Sequence, residues 1–336
     1  MKILIQGYNT CHQNIAGGVA RRIDCFINAL KNNGVECKVF DYWNDNIEDF
    51  DLVHFFKIQP EHYGLANYLR HKNKPYVLST IVPIEKKSWI KVNVFFNKLK
   101  IHTLIGMNKV LLDNASLILT QSKQEKKFVE SSYSLNVRKV HCLPNGVILS
   151  KTNFDEKAFL DKYSVNNGFV LCVGRIDPNK NQLNLIRALN NSNMQLVIVG
   201  GPDPQYMDYF ERCKKEAASN IIFTGWLTLD DMLLKSAYCC AKVVVVPSFR
   251  ETFGNVLLEG GINHANLAYS ENLAINDWGL GEYAYLFDPK HIADIRQVIE
   301  RAYNASINEE LYTFIQEHFT WDAVAKKHIN LYKQIL

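Results

Sequence analysis

The sequence predicts an α/β fold of two doubly wound domains. Three observations carry this. Short runs rich in Val, Ile, Leu and aromatics alternate with longer amphipathic stretches. Several of these runs are apolar almost throughout, as strands of a parallel sheet are when helices cover both faces. The alternation restarts at residue 169, in a chain whose 336 residues suit about two domains.

Taken in order, the strand candidates of the first half are "KILIQG", "CKVFDYW", "DLVHFF", "PYVLST", "SLILTQS" and "KVHCLPNG". Those of the second are "FVLCVG", "MQLVIVGG", "NIIFTG", "KVVVVPS", "NLAYS" and "AYLFDP". The polar stretch "ILSKTNFDEKAFLDKYSVNNG" between them reads as the interdomain connection. The expected domains are therefore 1–165 and 166–317, followed by a closing helix over 318–336. In that helix Trp321, Val324, Ala325, Ile329, Leu331 and Leu336 recur at helical spacing.

With 47% apolar, 12% aromatic and 21% charged residues, the composition is that of an ordered globular protein. A net charge of +4 does not argue for nucleic acid, which calls for basic residues concentrated on one face. The apolar run in "MKILIQG" is too short for a secretory signal, and no run approaches the ~20 residues that span a bilayer. A cytoplasmic protein is expected. Its eight cysteines, without a CxxC pair, then read as reduced, buried thiols.

Ligands of open parallel sheets collect beyond the carboxyl ends of the strands, where helix N-termini point outward. Gly17 and Gly18 in "NIAGGVARRI" allow close backbone approach to a ligand there, although a plain turn is the better explanation of an isolated Gly-Gly. No GxGxxG follows the first strand, against a nicotinamide or flavin enzyme. In "CVGRIDPNKNQ", Arg175 and Lys180 form a pair of cations suited to a diphosphate, the one by a planar fork and the other as a point charge. Ordinary surface charge is the alternative. In "PSFRETFGNVLLEGG", Gly254, Asn255 and Val256 supply the first amides of a helix. Glu251 precedes that helix and Glu259 lies within it, roughly 12 Å away, too far for a close catalytic pair. A ligand with hydroxyls at both ends and phosphates between them uses both; otherwise one is an exposed glutamate and the other a glutamate placed by the helix dipole.

"PSFRETFGNVLLEG", with "VGRIDPNKN", "LPNG", "FTGWL" and the late "FTW" in that order, resembles the retaining glycosyltransferases of family 4, which share the two-Rossmann GT-B fold. The likeness covers nearly the whole chain. It implies an enzyme that transfers a sugar from a nucleoside-diphosphate sugar, most simply a UDP- or GDP-sugar, to a hydroxyl of a glycan or glycolipid. It also implies that no cofactor or metal is needed. By this resemblance Arg175 and Lys180 hold the donor diphosphate, Glu251 the sugar hydroxyls, Glu259 the ribose, and backbone near Leu227 the base. Gly17 and Gly18 approach the donor, and the terminal helix returns to the first domain.

The chain departs from the family where a histidine is usual, at Val82; Thr80 and His54 are candidate substitutes, although a lone histidine after an apolar run is more often a satisfied structural residue. "DFD" at residues 49–51 has metal-pair spacing but precedes a strand, and reads as a loop. Residues 86–112 hold six lysines and no acid, interleaved with Trp89, Phe95 and Phe96. This suits either a helix lying on anionic inner-leaflet lipid or one packed on the first domain with its lysines in water. The first alternative implies a lipid-linked acceptor, as in lipopolysaccharide, capsule or O-antigen assembly. Two rival functions are a nucleotide-sugar epimerase of the same fold and a binding subunit without turnover.

Overall fold

All twelve expected strand segments form strands, in two six-stranded, wholly parallel sheets. The structure is a computed structural model, and it describes residues 1–8, 18–82, 90, 103–149, 156–227 and 232–336. The chain divides into one unit of Met1–Gly146 with Thr320–Leu336 and a second of Val147–Phe319.

In the first unit the order is β1 (Lys2–Gln6), α1 (Gly18–Asn32), β2 (Glu36–Val39), β3 (Leu52–Phe56), α2 (Tyr63–His71), β4 (Tyr76–Ser79), α3 (Leu104–Asn114), β5 (Leu117–Thr120), α4 (Lys123–Tyr133) and β6 (Val140–Cys142). The sheet order is β2-β1-β3-β4-β5-β6. β3, β4 and β5 are buried along their whole length, which is why they read as unbroken apolar runs. α1 turns Ile23, Phe26, Ile27 and Leu30 inward at helical spacing. Ser122 caps α4 by accepting from the Glu125 amide at 3.0 Å, and Ser134 ends it in the left-handed conformation.

The second unit runs α5 (Glu156–Tyr163), β7 (Phe169–Val173), α6 (Gln182–Leu189), β8 (Leu196–Val199), α7 (Met207–Glu216), β9 (Ile221–Gly225), α8 (Met232–Cys240), β10 (Ala241–Val246), α9 (Asn255–Ile262), β11 (Asn266–Ser270), β12 (Tyr285–Phe287), α10 (Ile292–Asn304) and α11 (Glu309–Phe319). Its sheet order is β12-β11-β10-β7-β8-β9. The chain therefore builds outward from β7 to β9, then crosses back to place β10 on the other side of β7. In the first unit the same reversal falls between β1 and β3.

The last helix, α12 (Trp321–Tyr332), belongs to the first unit, where Trp321, Val324, Ala325, Ile329 and Tyr332 join the core that includes Ile23, Phe26 and Leu30 of α1. Trp321 lies against Gly146, where a Cβ would overlap the indole. That contact joins the "LPNG" and "FTW" segments and requires the glycine.

Three expectations need correction. The boundary falls between Gly146 and Val147 and not near 165, because Phe159 and Val165 of the polar-looking connection are buried in the second unit's core with Phe169. β2 stops at Val39, short of the expected "DYW": Asp41 accepts from the Trp43 amide at 2.9 Å in a turn that leaves Trp43 94% exposed. His54 does not substitute for the histidine missing at Val82; it is fully buried between Ser79 and Tyr332. Of the "DFD" pair, Asp49 ends a short 3-10 helix (Ile47–Asp49), and Asp51 lies just before β3 and accepts from the Lys2 amide at 2.7 Å. None of the seven described cysteines forms a disulfide.

Candidate functional site

The loops that leave β7 and β10 meet at the crossover of the second sheet, the position where open α/β sheets bind ligands. Main-chain and side-chain bonds fasten them together. The Phe249 amide donates to the Asn179 carbonyl at 2.8 Å, and Asn179 Nδ2 returns a bond to the Arg250 carbonyl at 3.0 Å. Asn181, buried and left-handed at φ 59, donates to the Pro247 and Pro289 carbonyls at 3.1 and 2.8 Å. An Asn tolerates that conformation better than most residues and supplies the amide that ties three strand ends together.

This clamp brings Lys180 to Glu251. Lys180 Nζ lies 2.6 Å from Glu251 Oε1, and Ser248 Oγ donates to the same oxygen at 2.5 Å. The two side chains are 24% and 14% exposed, so the pair is largely screened from water. Asp177 organises the loop beneath, accepting from the Lys180 amide at 3.0 Å and from Arg175 Nε at 3.0 Å. Arg175 reaches on to Asp203 at 2.9 Å, and its side chain remains 54% exposed. The turn at Gly174 and the one at Gly200 approach so closely that a Cβ on Gly200, at φ 139, would overlap the Gly174 carbonyl.

Gly254, left-handed at φ 107, turns the chain into α9, whose first amides include Asn255 and Val256 and whose first turn carries no acid. Glu259 lies one turn further on and accepts from Tyr238 Oη at 2.5 Å. Burial beside that carboxylate pushes the Tyr238 hydroxyl well above its ordinary pKa, so it stays a donor at any working pH. The two glutamates thus have separate partners. Leu227 follows β9 and packs partly on the core; beside it Trp226, 57% exposed, covers Gly201 at the end of β8.

Of the expected residues, Arg175, Lys180, Glu251, Gly254, Asn255, Val256, Glu259 and Leu227 all lie at the carboxyl edge of the second sheet or on the helix that follows it. Gly18 begins α1 of the first unit. Gly17 lies outside the described residues, as do residues 86–89 and 91–102 of the lysine-rich stretch. Thr80 is not free to bind a ligand: its hydroxyl donates to Glu125 at 2.6 Å. Reasoning from sequence missed Ser248, Tyr238, Asp177, Asp203 and Asn181. Ser248 and Asp177 lie inside the quoted motifs and were within reach, whereas Tyr238 and Asp203 approach only through folding. Among the described residues no group of three His, Cys, Asp or Glu is placed to hold a metal.

Residues 168–303 match the family described as "Glycosyl transferases group 1". The chain is 28% identical over 192 residues to "Serotype-specific mannosyltransferase WbdA" of Escherichia coli, a match over 52% of this chain and 23% of that protein, so it spans less than a quarter of that relative's length. It is 35% identical over 189 residues to "N-acetylgalactosamine-N,N'-diacetylbacillosaminyl-diphospho-undecaprenol 4-alpha-N-acetylgalactosaminyltransferase" of Campylobacter jejuni, covering 48% of this chain and 49% of that one. Its fold is that of "Anabaena Alr3699/HepE in complex with UDP", with TM-score 0.74 and 15% identity over 99% of this chain and 100% of that one. The sequence match to glycosyl transferases group 1 lies within the second unit, and the likeness to the solved structure along the whole chain is one of fold.

Proposed function

We propose that this chain, whose second unit matches glycosyltransferase group 1, is a retaining enzyme that moves a sugar from a nucleoside-diphosphate sugar to a hydroxyl of a glycan or glycolipid. The observation that carries this is the Lys180–Glu251 pair at the β7/β10 crossover, beside the acid-free N-terminus of α9. A cation, a hydroxyl acceptor and a helix end, held in one place by loops that fasten each other, suit a diphosphate with a sugar attached.

In the proposed reaction the bond from the anomeric carbon to the diphosphate breaks, and a bond to the acceptor oxygen forms on the same face. The acceptor's proton passes to a phosphate oxygen of the leaving nucleotide. The protein's part is positioning and stabilisation of the leaving charge by Arg175, Lys180 and the α9 amides. Glu251 accepts from sugar hydroxyls while keeping Lys180 in place, and Glu259, aligned by Tyr238, accepts from the ribose. No step calls for a metal. The names of the relatives, a mannosyltransferase and an enzyme of a diphospho-undecaprenol glycan, support a surface-glycan or lipid-linked acceptor. The complex of a structural neighbour with UDP makes UDP the first nucleotide to test.

Thermal unfolding with UDP, GDP, ADP, TDP and CMP in turn tests the donor site. A nucleotide at 100 times its Kd stabilises the fold by about 2.7 kcal/mol, a readable shift in Tm. We expect a shift with one nucleotide, lost in Glu259→Ala; no shift with any of them sinks the reading. Product analysis without acceptor separates transfer from epimerisation, and acceptor-dependent donor consumption dismisses a binding-only role.

Contact of residues 86–112 with anionic lipid is a further part of this proposal. In the described part, α3 buries Leu111 and Leu112 in the first unit's core, Lys109 pairs with Asp113, and Leu104 is 66% exposed. No helix among the described residues is long and apolar enough to cross a membrane. Replacing Lys86, Lys87, Lys91, Lys98 and Lys100 should reduce sedimentation with anionic vesicles; unchanged sedimentation removes the lipid contact.

A further inference from the structure

The crossover of the first sheet, between β1 and β3, holds a buried cation that no described acid neutralises directly. Arg22, in the second turn of α1, is 5% exposed, and its Nε and Nη1 have no hydrogen-bond partner among the described residues. Its Cζ lies 5.3 Å from the ring centroid of Phe56, the last residue of β3, which places the guanidinium at the carboxyl edge of the sheet. Burial lowers its pKa to about 10 against the opposing pull of Glu125.

The oxygens of Glu125 are already engaged. Oε1 accepts from Thr80 Oγ1 at 2.6 Å and from the Val82 amide at 3.0 Å, and Oε2 accepts from the Gln121 amide at 2.7 Å. A desolvated charge left without a hydrogen-bonded partner costs several kcal/mol, and native structures seldom keep such donors without a reason.

The surroundings have further marks of a ligand site. Lys57 follows Phe56 in the left-handed conformation, at φ 73, with its ammonium 4.8 Å from the ring centroid of Tyr8 beyond β1. Ile81, at φ 45, is a β-branched residue in a region such residues rarely enter, held there between the two neighbours bonded to Glu125. Backbone strain of this kind collects at ligand sites. Topology gives this crossover the position that Lys180 and Glu251 occupy in the second unit.

We propose that Arg22 anchors a second oxyanion site, in the first unit, which takes an esterified phosphoryl group of the acceptor, with Lys57 as the outer cation. The planar guanidinium offers two parallel donors to two phosphoryl oxygens, which an ammonium cannot. That the ligand is an acceptor rests on the glycosyltransferase reading; the anion site itself does not.

The test is thermal unfolding of the full chain at constant ionic strength, with the donor site saturated by the nucleotide that shifts it. Methyl phosphate and inorganic phosphate are then titrated into wild type, Arg22→Met and Arg22→Lys. For wild type we expect a saturable rise in Tm with methyl phosphate. Arg22→Met should unfold at a higher temperature than wild type without anion, since an apolar side chain replaces an unneutralised buried charge, and should show no anion response. Arg22→Lys should bind methyl phosphate at least ~10-fold more weakly. An equal response in wild type and Arg22→Met overturns the site. So does an Arg22→Met that fails to fold while Arg22→Lys responds like wild type, because the arginine is then a structural cation. A response to inorganic phosphate alone overturns the esterified acceptor. If no nucleotide binds, the donor reading fails by itself, and the same titrations on Lys180→Ala, which lacks the other candidate phosphate cation, still decide the Arg22 site.

Discussion

Lys180 is half of an ion pair before any ligand arrives, and Glu251 shares its Oε1 with Ser248 as well. Under the proposed function, a donor diphosphate enters a site whose cation is already aimed, at little cost in side-chain ordering. If that cation acts mainly on the leaving charge, Lys180→Ala lowers kcat by about 100- to 1,000-fold with a smaller change in nucleotide Kd, because one preorganised donor is worth that much in a screened site. Steady-state kinetics beside nucleotide titration measures both; an equal loss in the two moves Lys180 to ground-state binding. Tyr238→Phe removes the donor that aligns Glu259 and should weaken nucleotide binding roughly 5- to 10-fold, the worth of about 1 to 1.5 kcal/mol for such a bond. Unaltered affinity would show that Glu259 needs no alignment. At this scale the sequence was informative wherever a motif held a residue together with its loop, as at Arg175, Lys180 and Glu251. It was silent on Tyr238, whose hydroxyl reaches Glu259 from a different helix.

Two elements of the first unit, β3 and α12, each bring a histidine into the same interior. The Tyr332 hydroxyl lies 2.7 Å from His54 Nδ1, and His54 Nε2 lies 2.9 Å from Ser79 Oγ. His328 Nδ1 donates to the Val324 carbonyl at 2.8 Å, while its Nε2 is buried without a partner among the described residues. Burial, reinforced by His328 and then by Arg22, holds His54 well below its ordinary pKa, and burial lowers His328 to about 3. Both rings are then neutral in the folded protein and protonate in the unfolded chain near pH 6.5. Their contribution to stability is complete above about pH 6.5. It falls as pH drops below that value, by about 1.4 kcal/mol per pH unit for each histidine, until the folded-state pKa is reached. Urea unfolding between pH 7 and pH 5 should show this slope, and His328→Leu should flatten it by close to one proton. A slope unchanged by that substitution would mean that His328 is protonated in the fold.

For the molecule as a whole, the chain returns at its end to the unit in which it began. Val324 and Tyr332 are fully buried in the first unit's core, Trp321 and Ile329 nearly so, and each such side chain is worth about 1.5–3 kcal/mol. Truncation after Phe319 should therefore unfold the first unit and spare the second. Hydrogen exchange reads this directly, with protection lost in β1 and β3 and kept in β7 and β10. Loss in both units together would show that the second depends on the first for its stability. Most of the layout behind this prediction was legible beforehand. All twelve strand segments were recognised, most clearly the inner ones such as β3, β4 and β5, because parallel strands buried on both faces leave little room for polar residues. The one misplaced boundary came from a segment whose few apolar residues, Phe159 and Val165, are buried by partners that a count of polarity does not weigh.

Periodicity and local motifs are properties of neighbouring residues, so the sequence by itself determined the two α/β sheets, the terminal helix and the loop residues at the β7/β10 crossover. What only the tertiary structure decided depends on residues distant in the chain. It paired Lys180 with Glu251 and Tyr238 with Glu259, laid Trp321 on Gly146, buried His54 between Ser79 and Tyr332, and left Arg22 desolvated beside a glutamate already committed to other donors. Burial and hydrogen-bond saturation are set by everything that surrounds a group in space, and a linear chain does not carry them.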